Sequence, residues 1–193
     1  MSQTMKKSKG FSLIEAMVAL IIISVGVLGL VAMQGRTIQY SNESTQRDRA
    51  IMLANDLAEM MRSNRNALIG ANGLPNAASN YYKAAGTAFP TTITANCQTA
   101  AGCTVDQLAT TQMATWARQV QNALPIGPDL TLLTNQYIVC RTNNASAANP
   151  CSGTGSSVLI QIAWLGKDVC PAGTVCTALD ASRREFYRMS FQP

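Results

Sequence analysis

The chain has 193 residues, enough for one ordinary domain plus a membrane anchor, and apolar residues make up 47% of it. The formal net charge is +5, but Lys6, Lys7 and Lys9 supply three of these charges, so the remainder carries only +2 and argues against nucleic acid as a partner. The chain has no histidine, which excludes Ser-His and Cys-His catalytic pairs, and no phosphate-binding loop or dinucleotide fingerprint. We therefore predict a protein that is not an enzyme and that uses no cofactor.

Residues 1–10 form a short basic leader that ends at a glycine. Three lysines precede Gly10, and Phe11 follows it. A secretory signal peptide has its small-residue cleavage site after the apolar segment, whereas here the small residue comes before that segment. Cleavage after Gly10 would therefore leave the apolar segment on the mature chain. Met1 and Met5 are alternative starts for the leader.

Residues 11–33 are predicted to form a transmembrane helix. The eighteen residues from Ala16 to Met33 carry no charge, and together with Phe11 to Ile14 they span about 30 Å as a helix. The preceding lysines favour a cytoplasmic N-terminus and place the rest of the chain on the opposite side of the membrane. Gly26 and Gly29 lie inside this helix, either because membrane helices tolerate glycine or because this stretch loosens in a protein filament.

Glu15 is the one acidic residue in the apolar segment. A carboxylate there costs a few kcal/mol (about 3) unless it is paired or lies near the membrane surface. One interpretation is that Glu15 reaches the headgroups from its place near the mature N-terminus. The alternative, which we favour, is that it pairs with the cationic amine of Phe11 on a neighbouring subunit.

Residues 34–69 are predicted to continue the helix as an amphipathic half, which gives one helix over residues 11–69. This segment contains no proline, and Gly70, Gly73 and Pro75 follow it. Its apolar residues recur at steps of three and four and form one stripe, which is expected to pack on a globular domain. The stripe consists of Ala50, Leu53, Ala54, Leu57, Met60, Met61 and Leu68.

Residues 70–193 are predicted to form the globular domain. Residues 70–103 are rich in Ala, Asn, Thr and Gly, which is typical of a long surface connection. Thr104 and Gln107 match a capping box at the start of a second helix near residues 105–124, which is expected to bury Trp116.

Three strands are predicted after this helix, near residues 130–141, 157–165 and 184–191. In the middle strand, strict alternation is expected to place the apolar side chains on one face: Val158, Ile160, Ile162 and Trp164. Loops without intervening helices connect the strands, which favours an antiparallel sheet and an α+β fold.

All six cysteines follow the apolar segment, and an even number beyond a membrane anchor indicates disulfides in an oxidising compartment. Zinc sites favour closer cysteine pairs, often with histidine, so we predict no metal site. Six cysteines permit 15 connectivities. Their spacing favours three local pairs: Cys97–Cys103, Cys140–Cys151 and Cys170–Cys176.

The run Gly10-Phe-Ser-Leu-Ile-Glu15 before an apolar helix resembles the start of type IV pilin-like proteins. Finer features are similar to minor pilins: Gly26-Val-Leu-Gly-Leu, a helix ending in Asn122-Ala-Leu-Pro125, and Ile162-Ala-Trp164 in a strand. The apolar segment lacks the kinking proline that major pilins usually have, which fits a minor subunit. Six cysteines depart from the single disulfide usual in major pilins.

The resemblance implies a type IV pilin fold, in which a long N-terminal helical spine packs on an antiparallel sheet domain. It implies that prepilin peptidase cleaves after Gly10 and that Phe11 is N-methylated. The expected partners are other minor pilins, the major pilin and an inner-membrane assembly platform, with Glu15 as an assembly contact. The expected location is the bacterial inner membrane, with the C-terminal domain in the periplasm, followed by the pilus on the cell surface.

The expected role is that of a minor pilin that primes pilus assembly and sits at or near the filament tip. A minor pseudopilin of a type II secretion system would have the same leader, Glu15 and helix. A membrane-anchored binding module that never polymerises is a third possibility, but such an anchor needs no glycine before Phe11. No residue identifies a receptor for adhesion.

Overall fold

The structure, a computed structural model, describes residues 12–70, 72–100, 102–127, 130–166 and 184–193. The chain divides into two compact units, Met1–Asn42 and Glu43–Pro193. Helix α1 covers Leu13–Ser63 and is followed by a 3-10 turn over Arg65–Ala67.

In the first unit, the described residues are almost entirely helix α1. Its large apolar side chains are exposed, from Leu13 at 79% to Met33 at 70%. Helix α1 is long and apolar enough to cross a membrane, and none of its most apolar stretch is buried. An exposed helical surface that is mainly apolar needs a lipid or protein environment, because water solvates it poorly.

The second unit contains the end of α1, two further helices and a sheet. Helix α2 covers Val105–Ala123, and a short helix α3 covers Thr131–Gln136. Strands β1 (Ile138–Thr142), β2 (Ser157–Leu165) and β3 (Arg184–Phe191) pair antiparallel in the order β1-β2-β3. This is an α+β architecture in which the sheet follows the helices along the chain.

The core of the second unit forms where α1, α2 and the sheet meet. Leu57 and Met61 of α1 are fully buried, as are Trp116 of α2 and Ile160 of β2. The predicted burial of Trp116 is confirmed: its Nε1 donates a hydrogen bond to the Leu53 carbonyl oxygen at 2.8 Å. This bond links the two long helices inside the core.

The prediction of a strand over residues 130–141 is wrong for its first half. Residues 131–136 form α3, and the strand begins only at Ile138. Neighbouring side chains of a strand point to opposite faces, yet Leu132 and Leu133 are both buried in the same core cluster. A helical turn that begins after Leu130, whose φ is +55°, allows this packing.

The prediction of a surface connection over residues 70–103 is also wrong in part. Tyr81 is fully buried, and Phe89 packs against Trp116 with ring centroids 5.7 Å apart. Lys83 exchanges backbone hydrogen bonds with Val139 of β1 at 2.8 and 3.0 Å. Tertiary contacts therefore draw this polar segment into the core and onto the edge of the sheet, against its composition.

The end of α1 coincides with a tertiary contact, whereas the start of α2 follows local chemistry. Helix α1 leaves α-helical geometry at Asn64, earlier than the expected end at residue 69. The Asn64 side chain donates to the carbonyl oxygen of Val105, the first residue of α2, at 2.8 Å, so this position is tied to the neighbouring helix. The capping box at the start of α2 is confirmed, because the side chains of Thr104 and Gln107 each accept a hydrogen bond from the backbone N–H of the other residue.

Strand β2 lies at the centre of the sheet, and both of its faces are buried. Ile160 and Ile162 join the core cluster as expected. Leu159, which points the other way, is fully buried, and Gln161 is only 3% exposed. The alternation along the sequence predicts which side chains face the core, but it does not predict that the side chains on the opposite face are also buried.

Candidate functional site

Two features of the first unit bear on function, and the first is the position of Glu15. It lies in the first turn of α1, where its amide nitrogen donates to the Ser12 carbonyl oxygen at 3.0 Å. Its side chain is exposed. Gly10 and Phe11, the predicted cleavage and methylation residues, lie outside the described residues. An exposed carboxylate at a helix N-terminus is free to pair with a cation of another chain.

The second feature is that the glycines in and just after the apolar stretch are exposed. A Cβ added at Gly26, Gly29 or Gly35 would meet no atom of the described chain within 4 Å. Packing within the described chain therefore does not require glycine at these positions. The structure leaves both interpretations of Gly26 and Gly29 open, either tolerance in lipid or local loosening in a filament.

Four of the six cysteines lie in the described residues, and all four form disulfides. Cys97 bonds to Cys103, which closes the loop before α2, and Cys140 of β1 bonds to Cys151. The third predicted pair, Cys170 and Cys176, lies outside the described residues. Short covalent loops of this kind constrain the unfolded chain and stabilise each folded loop by about 2–3 kcal/mol.

Comparison with known protein families adds two adjoining matches. Residues 5–31 match the model of the prokaryotic N-terminal methylation motif, and residues 32–114 match the model of type IV pilin Tt1218. The fold is that of a type IV pilin. No curated protein and no solved structure matches the chain. The two matches support a pilin role, with processing by prepilin peptidase, membrane anchoring and pilus assembly, and they favour a structural protein over an enzyme.

Within the described part of the pilin domain, we find no cluster of His, Cys, Asp or Glu side chains that would hold a metal ion. The side chains with shifted pKa values are buried groups that support the fold. Burial raises the pKa of Tyr81 to about 12, against a weaker opposing effect from its hydrogen bond with Asn64. Burial also raises the pKa of Tyr137, whose hydroxyl donates to the Ala163 carbonyl oxygen at 2.6 Å.

Sequence reasoning missed Lys83, a buried cation of the pilin domain. Its Nζ donates to three carbonyl oxygens, those of Ala84, Thr134 and Tyr137, at 3.2, 2.7 and 2.8 Å. The same nitrogen lies 5.0 Å from the centroid of the Phe89 ring. Its one sequence signal is a lysine that follows two tyrosines in a segment otherwise rich in small and polar residues.

We expect the stability of the mature protein to rise with pH between about 8 and 9.5 because of Lys83. Burial lowers the pKa of Lys83 to about 8. In this range the unfolded chain therefore holds more protons at this site than the folded chain, and the free energy of unfolding increases with pH. Above pH 10 the raised pKa of Tyr81 has the opposite effect, because the unfolded tyrosine loses its proton first.

Urea unfolding in detergent micelles at a series of pH values measures this slope. For one proton the slope is at most about 1.4 kcal/mol per pH unit. Lys83→Met is expected to be less stable, since the carbonyl partners lose their donor, and to lack the rise. A wild-type free energy of unfolding that stays flat or falls from pH 8 to 9.5 would contradict the assignment.

Proposed function

We propose that this protein is a minor pilin, most similar to PilV, that primes type IV pilus assembly with other minor pilins. The observation that carries the proposal is the methylation motif over residues 5–31, which includes most of the exposed apolar stretch of α1. A leader that is removed ahead of the helix keeps that helix on the mature protein. The missing proline and the additional cysteines favour a minor subunit over the major one.

In the proposed pathway, the chain first spans the inner membrane once, with its N-terminus in the cytoplasm and the domain in the periplasm. Prepilin peptidase cuts after Gly10, and Phe11 is then N-methylated. The positive leader and the cysteines on the far side of the helix support this orientation. In the same compartment Cys170 and Cys176 form the third disulfide.

On extraction into the filament, the apolar surface of α1 exchanges lipid for the helices of other subunits. Glu15 then pairs with the amine of Phe11 on a neighbour, where water is scarce and an unpaired carboxylate is costly. The subunit sits at or near the tip, next to other minor pilins, and the major pilin follows. Pili built in this way support twitching motility and cell adhesion.

Deletion of the gene tests this role against the two alternatives. The minor pilin proposal predicts a loss of surface pili of about tenfold or more, restored by a plasmid copy, with type II secretion of exoproteins unchanged. Normal pili with impaired secretion would instead identify a pseudopilin. Normal pili and normal secretion would favour a membrane-anchored module that does not polymerise.

A further inference from the structure

An open cleft of about 1070 Å³ lies on the second unit. Its walls are residues of the segment 77–90, strand β1 and the loop that the disulfide between Cys140 and Cys151 closes. Its size exceeds that of most small-molecule pockets, which are roughly 300–1000 Å³. The cleft therefore has room for several units of an extended ligand.

The cleft carries positive charge and, among the described residues that line it, no carboxylate. Its accessible cations are Arg141 and Arg188; Lys83 also lines the cleft, but it is buried and its Nζ donates to three carbonyl oxygens. Nε and Nη2 of Arg141 donate to the Gly155 carbonyl oxygen at 3.1 and 2.9 Å, and Nε of Arg188 donates to Oε1 of Gln161 at 2.5 Å. These bonds fix both guanidinium groups and use only part of their five N–H donors.

The rest of the lining combines neutral polar side chains with small and apolar ones, mainly alanines and prolines. Asn135, Gln136 and Asn149 line the cleft, together with the aromatic side chain of Tyr82. Nε2 of Gln161 donates to the Gln136 carbonyl oxygen at 2.7 Å, which orients its Oε1 toward Arg188. Amides that both donate and accept hydrogen bonds, beside an aromatic ring, suit a ligand rich in hydroxyl groups.

An extended acidic peptide fits this cleft less well. Such peptides commonly add to a free strand edge through main-chain hydrogen bonds. Here the backbone N–H and C=O of Val139 in β1 are both already bonded to Lys83. The cleft thus offers side chains to its ligand and blocks strand addition at this point.

We propose that this cleft binds an acidic polysaccharide. Arg141 and Arg188 would pair with uronate carboxylates, and the amide side chains would bond to the sugar hydroxyls. Guanidinium groups match carboxylates in a bidentate geometry, so arginine suits this role better than lysine.

The probe is a galacturonic acid hexamer, titrated calorimetrically into the full mature protein in detergent micelles, with a neutral galactose hexamer as comparison. We expect saturable binding that is at least about tenfold tighter for the acidic hexamer. Arg188→Gln and Arg141→Gln should each weaken it about tenfold, the loss expected for one charged hydrogen-bond partner. Arg118→Gln removes an exposed arginine of α2 outside the cleft and should leave the affinity unchanged.

Three results would overturn the proposal. The first is no saturable binding of the acidic hexamer. The second is a loss of affinity in Arg118→Gln equal to that in the two cleft variants, which would indicate binding by general charge. The third is binding of a glutamate hexapeptide or of single-stranded DNA as tightly and with the same arginine dependence, since the ligand class would then be wrong. If Arg141→Gln does not fold, Arg188→Gln decides alone, because Arg188 is exposed.

Discussion

We expect the substitution Glu15→Gln to lower the number of surface pili about tenfold or more, while the protein still inserts in the inner membrane. Glutamine keeps the shape of the side chain and removes the charge that, in the proposed function, pairs with the amine of Phe11 on a neighbouring subunit. Breaking a buried ion pair costs about 3–5 kcal/mol, more than enough for this loss. Electron microscopy of surface pili, with immunoblots of membrane fractions, measures both effects.

Glu43→Gln is the matched control for this experiment. Glu43 lies on the same helix α1, is also exposed, and lies beyond the apolar stretch. The Glu43→Gln substitution should leave the number of surface pili unchanged. Wild-type numbers of pili in the Glu15→Gln variant would contradict an assembly role for this carboxylate. Reduced membrane insertion would show that the defect lies in anchoring instead.

Replacing Trp116 by alanine is expected to lower the free energy of unfolding by about 3–5 kcal/mol. Trp116 is fully buried, and its ring centroid lies 5.7 Å from that of Phe89 and 6.1 Å from that of Tyr137. The substitution also removes the bond from Nε1 to the Leu53 carbonyl oxygen, which links α2 to α1. Urea unfolding in detergent, followed by circular dichroism, gives the difference.

Two companion variants sharpen the measurement. Trp116→Phe keeps an aromatic ring but loses the hydrogen bond, so its stability should fall between those of the wild type and the alanine variant. Gln119→Ala changes an exposed neighbour on α2 and should shift stability by less than about 0.5 kcal/mol. Equal stability of Trp116→Ala and Gln119→Ala would refute the central place of Trp116 in the core.

The elements that local chemistry determines could be predicted from the sequence. The capping box fixes the start of α2, because Thr104 and Gln107 satisfy each other's backbone without tertiary help. The alternation in β2 identifies Ile160 and Ile162 as core residues, because successive side chains of a strand point to opposite faces of the sheet. The apolar stretch and Glu15 are equally local signals.

The elements that depend on distant contacts could not be predicted. Leu132 and Leu133 allow a strand or a helix, and only the packing of both into one core selects the helix. Lys83 lies in a segment of loop-like composition, and its place follows from carbonyl groups more than 50 positions away, such as that of Thr134. Arg141 and Arg188 belong to the two outer strands, β1 and β3, and only the folded sheet shows that both line one cleft.

The proposed function depends above all on the removal of residues 1–10 and on the retention of the apolar helix in the mature chain. The intact mass of the protein, purified from membranes of its native host, measures both. We expect the mass of a chain that begins at Phe11 and carries one added methyl group on its amine. A chain that still begins at Met1 or Met5 would contradict it.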